Sequence, residues 1–61
     1  MTKVQATGKA MRAISNLRTA ESESEVLDAV TLKEEIEWNL IDDELKDEWN
    51  EAYGDAQKYL P

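Results

Sequence analysis

The residues in this chain that could do chemistry are nearly all carboxylates. In NLIDDELKDEW, Asp42, Asp43, Glu44 and Asp47 stand close together, and oxygen donors in that density suit a hard cation such as calcium or magnesium. The stretch lacks the donor rhythm and central Gly of a calcium loop, and helical carboxylates fan around the axis instead of converging. A capped, solvated helix start is the expected role, with no metal. The chain contains neither His nor Cys. Imidazole and thiolate ligands are thus absent, as are Ser-His-Asp and Cys-His nucleophile systems. Gly8-Lys9 in ATGKAM lacks the earlier Gly and the following Ser or Thr of a phosphate loop. A non-enzymatic protein without a cofactor is expected.

Charge separates the chain into two parts. Residues 1–20 hold Lys3, Lys9, Arg12 and Arg18 and no acid, whereas residues 21–61 hold fourteen acids against Lys33, Lys46 and Lys58. The parts carry +4 and −11, giving the net −7. A basic segment of this kind can lie on the acidic one, within a chain or between two chains. The net charge opposes direct nucleic-acid binding, which needs attraction to phosphates. No apolar stretch has signal-peptide or membrane-spanning length. A cytoplasmic protein with no membrane contact is the expectation.

The elements that must position these charges are helical. Ala6, Ala10, Ala13, Ile14, Leu17 and Ala20 recur at three- and four-residue steps, predicting a basic amphipathic helix over about 3–20. Gly8 weakens its first turns, and Thr7 offers a later cap. TAESESE reads as a connector at 21–24, with Ser22 and Glu25 at capping-box spacing. An acidic helical region then covers about 24–60. Thr31 and Glu34 offer a second box, so either one helix runs from 23 to 40 or a new one starts near 31. Beyond Asn39 the apolar face changes sides. Either Asp42 or Asp43 caps a fresh helix after a break near 39–43, or one long helix spans 32–58 with two contact faces. The prediction is a single all-α domain over residues 1–61, with two or three helices in a helical hairpin or small bundle. A chain this short buries only roughly 60% of its unfolded surface, and completion by homodimerisation is expected.

Two faces of the acidic region are candidate contact surfaces. Trp38 and Trp49 are eleven positions apart, about three turns of a continuous helix, in line with Ile41, Leu45, Ala52 and Tyr53. Trp and Tyr dominate interface energetics, so these six residues are expected to form an association face beyond what the alanine-rich first helix can cover. Glu37, Glu44, Glu48, Glu51 and Asp55 fall in a second sector. They are expected to select a basic or DNA-binding protein partner, or alternatively to imitate DNA phosphates and occupy a basic groove.

The short start MTKVQATGKAMRAISNLRTA, the SESE turn and the Trp-bearing EWNLIDDELKDEWNEAYGDAQKYL together resemble the small, acidic, all-helical early or accessory proteins of temperate lambda-like phages. That resemblance implies a non-enzymatic regulator or adaptor acting on host or phage proteins in the cytoplasm of a host cell.

Overall fold

The first helix begins where a threonine can close its first turn. Thr2 Oγ1 accepts the Gln5 amide hydrogen at 3.2 Å, and Gln5 Oε1 accepts that of Thr2 at 3.0 Å. This reciprocal box satisfies two otherwise open donors. In the computed structural model, which describes all 61 residues, α1 then runs Lys3–Thr19. Thr7 is therefore interior to the helix and not its cap, and Gly8-Lys9 lies on a helix wall and not in a loop.

Ser22 starts α2, Glu23–Glu34, by accepting the Glu25 amide at 3.3 Å. The Glu25 carboxylate reaches one residue further back than a capping box requires, to the Glu21 amide at 2.7 Å. Thr31 starts nothing: its hydroxyl donates to the Leu27 carbonyl inside α2 at 2.9 Å. After Glu34 the chain turns, makes one 3-10 turn at Trp38–Leu40, and enters α3, Asp43–Ala56, before a last 3-10 turn at Gln57–Tyr59. Neither continuous alternative, 23–40 or 32–58, is formed. Asp42 occupies the N-cap position of α3 without a side-chain cap bond. Its carboxylate instead meets Lys3 Nζ at 2.9 Å, leaving Asp43 and Glu44 to complement the helix dipole in the first turn. The fold is all-α, with three α-helices and 80% of residues helical.

The short connector makes α2 antiparallel to α1, and the longer turn returns α3 parallel to α1. Lys3 meets Asp42 at one end of that pair, while Leu17 and Ala20 share a core with Ala52 and Ala56 at the other. All thirteen buried residues are apolar, and seven of them are alanines. Small side chains let the helix axes approach, so the larger Ile14, Leu17, Val26 and Trp49 fill the space between them. A second, smaller cluster joins Ala6 and Ala10 of α1 to Ile36 and Ile41 around the turn, and Trp38 and Leu45 pack against both clusters. The radius of gyration is 11.0 Å, close to the roughly 10.5 Å expected of a compact chain this long. No helix is long and apolar enough to cross a membrane.

Candidate interaction surface

The turn at 35–42 decides what becomes of the two tryptophans. It takes Trp38 off the axis of α3, so the two indoles are not stacked along one helix. They meet edge to face instead, with ring centroids 6.1 Å apart and planes at 74°, a favourable arrangement for two ring quadrupoles. Tyr53, one turn along α3 from Trp49, lies nearly parallel to its ring at 6.0 Å and 13°. Lys33 Nζ sits 4.8 Å from the Trp38 ring centroid, within cation–π range.

This arrangement corrects the expected association face. Trp49 is only 5% exposed, and Ile41 and Ala52 are also buried. Trp38 and Leu45 are half-buried against the core. Of the six residues, Tyr53 alone is classed as exposed, at 36%. The physical reason is the close approach that the alanines of α1 permit, combined with the lid formed by the 35–42 turn. Together they cover the apolar face of α3 from within the chain.

The acidic set is divided in the same way. Glu37 precedes the 3-10 turn, and its Oε1 is 3.7 Å from the N-terminal amine. Glu48 faces α1, where Arg18 donates to its carboxylate at 3.3 Å. These two carboxylates are tied to the basic segment, as is Asp42, so three ion pairs lay α1 and the N-terminus on the acidic part of the same chain. Each pair is solvent-exposed enough to contribute only about 0–1 kcal/mol; they orient more than they stabilise. Glu44, Glu51 and Asp55 are exposed and make no ion pair.

Asp47 belongs with these three and was missing from the expected set. It is exposed and unpaired on the outer wall of α3. Its signal was present, three residues after Glu44 and four before Glu51. At 100° per residue, Glu44, Asp47, Glu51 and Asp55 lie within about 80° of the helix circumference and climb about 4.5 to 6 Å per step. Asp43, further round the same side, is 3.8 Å from Lys46.

A cleft of about 160 Å³ between the C-terminal ends of α1 and α3 is walled by Arg18, Glu51, Asp55, Lys58 and Tyr59 among others. That is smaller than the roughly 300 to 1,000 Å³ of small-molecule sites, and the larger hollows of about 310 to 580 Å³ are more open to solvent, an arrangement better suited to surface recognition. Compared with known proteins, the chain matches no family model, no curated protein and no solved structure.

Proposed function

We propose that this is a non-enzymatic protein-binding regulator or adaptor that recognises a basic protein surface through the outer wall of α3. The observation that carries the reading is the division of carboxylates. Glu37, Asp42 and Glu48 are paired with the N-terminal amine, Lys3 and Arg18, whereas Glu44, Asp47, Glu51 and Asp55 are exposed in one sector and make no ion pair, Glu51 and Asp55 standing at its edge where the α1/α3 cleft also holds Arg18 and Lys58. Unneutralised charge in one sector speeds encounter with an oppositely charged partner and repels nucleic acid. Tyr53, exposed and stacked on Trp49, lies at least about 120° around α3 from these carboxylates and is not part of this wall.

A partner that normally binds DNA fits the same chemistry. Imitation of a phosphate row is the weaker reading, because two of the five carboxylates it would use, Glu37 and Glu48, are held by the chain's own cations. A regulator or adaptor in a host cytoplasm is also what the likeness to temperate-phage accessory proteins implies.

The test is capture of partners from host lysate at about 0.05 M salt, followed by washing at about 0.5 M, where screening shortens to a few ångströms. Wild-type protein is expected to retain a basic protein at low salt and release most of it at high salt. The variant Glu44→Gln/Asp47→Asn/Glu51→Gln/Asp55→Asn is expected to lose capture at both. Equal capture by that variant would refute the reading, and release by added duplex DNA would identify a DNA-binding partner.

A further inference from the structure

The most exposed large apolar side chain of the molecule stands beside its two unpartnered cations. Val4 is 82% exposed, and with Gln5, Gly8, Lys9, Arg12 and Leu32 it lines an open groove of about 580 Å³ where α1 meets α2. Val4 and Gly8 follow one another on one row of α1, Gln5 and Lys9 on the next, and Arg12 stands one turn beyond both rows. An added Cβ at Gly8 would meet nothing within 4 Å, so the groove is open at that point, while Leu32 gives it a half-buried apolar edge from α2.

Every other cation is engaged within the chain. Lys3, Arg18 and Lys46 have carboxylate partners, the N-terminal amine lies near Glu37, and Lys33 and Lys58 lie over the rings of Trp38 and Tyr59. Lys9 and Arg12 are exposed and have neither kind of partner. Both are free to make charge-assisted hydrogen bonds to a carboxylate from outside the chain.

We propose that this groove binds an acidic segment of a partner protein, one that sets an aliphatic side chain against Val4, Gly8 and Leu32 and carboxylates against Lys9 and Arg12. The basic stretch is short, because beyond Arg12 the α1/α2 seam is walled by Asn16, Thr19, Glu25 and Asp28. A nucleic-acid duplex, with one charge per about 1.7 Å of its axis, or an anionic membrane presents negative charge continuously and meets these acids together with the cations. A protein segment confines its carboxylates to one turn, matching Lys9 and Arg12, which stand three residues and about 4.5 Å apart along α1. Its aliphatic residue also removes Val4 and Leu32 from water, which phosphate groups do not. The groove shares no residue with the α3 wall, so this site and the basic-partner reading stand or fall separately, and a chain with both joins an acidic segment to a basic surface.

The experiment is selection from a library of short random peptides on the immobilised full chain at about 0.1 M salt, with Lys9→Glu/Arg12→Glu as the parallel bait. The peptides recovered by the wild type and lost on the variant are expected to be acidic and to carry Leu, Ile, Val or Phe. Added to the free protein, they should shift the amide resonances of Val4, Gly8, Lys9, Arg12 and Leu32. Gly8→Leu, which fills the groove and favours the helix, should weaken them at least about tenfold, whereas Glu44→Gln/Asp47→Asn/Glu51→Gln/Asp55→Asn should leave their binding intact. The proposal is overturned if no acidic peptide distinguishes the two baits, or if the shifts fall on other residues. Tighter binding of duplex DNA, or of vesicles of equal parts phosphatidylcholine and phosphatidylserine, would overturn it as well.

Discussion

Helices α1 and α3 lie side by side and run the same way, yet they meet solvent with opposite chemistry. At identical spacing, the outward positions of α1 are Val4, Gly8, Met11 and Ser15, and those of α3 are Asp43, Asp47, Asn50 and Gly54. Their inward positions differ in a complementary way. α1 contributes mainly alanines, and α3 contributes Trp49 set between Leu45 and Ala52. The thin helix carries the apolar outer wall, and the helix with the bulky core residue carries a polar one, acidic at Asp43 and Asp47 and flanked by Glu44, Glu51 and Asp55. The comparison teaches that side-chain volume decides which face of a helix is enclosed: α1 brings its axis close because its inner residues are small, and Trp49 then has a pocket deep enough to enter.

That division can be broken most severely at Trp49. Trp49→Ala empties the space between the helices and is expected to cost about 3–5 kcal/mol, against a total stability of about 3–9 kcal/mol for a chain of this length. Far-UV circular dichroism through a urea titration should show a largely unfolded protein. A variant that retained its midpoint would mean that Trp49 is not the main filling of the core.

The partner side of the same fit is tested by enlarging an alanine. Ala13 has no exposed surface, so Ala13→Leu forces α1 and its neighbours apart, at about 1–3 kcal/mol. The urea midpoint should fall. If it rose, the core would contain unfilled space beside α1.

The smallest effect is expected outside. Gly54 is helical, with nothing within 4 Å of an added Cβ, so Gly54→Ala relieves a backbone entropy cost without a clash. Stability should rise by about 0.5–1 kcal/mol, read as a Tm increase of several degrees. No gain would show that the outer wall of α3 is more constrained than its exposure indicates.

Much of this architecture was legible because it rests on local rules. The three- and four-residue recurrence of Ala6, Ala10, Ala13, Ile14 and Leu17 marks an amphipathic helix whatever surrounds it, and Ser22 can cap only by bonding a backbone amide two or three residues on. The start of α1 near residue 3 follows from the same periodicity, but its Thr2–Gln5 capping box was not read, because Gln5 there takes the place of the more usual Glu. The candidate surfaces were less legible. The eleven-residue spacing of Trp38 and Trp49 was read through a continuous helix, yet the contact between them exists only because the helix is interrupted. Asp42 has the residue type of a cap, but Lys3, far away in sequence, holds its carboxylate.

By itself, the sequence determined the helical class, the partition of charge and the absence of His and Cys chemistry. These follow from residue type and from spacing shorter than two helical turns, where steric and hydrogen-bonding rules act without reference to the rest of the chain. Only the tertiary structure decided that the Trp-bearing face of α3 is interior, that Glu37 and Glu48 are taken by internal cations, and that the exposed apolar wall is on α1. An apolar periodicity states that a face must be covered. What covers it depends on how closely distant helices approach, which is set by the volumes of side chains forty residues away.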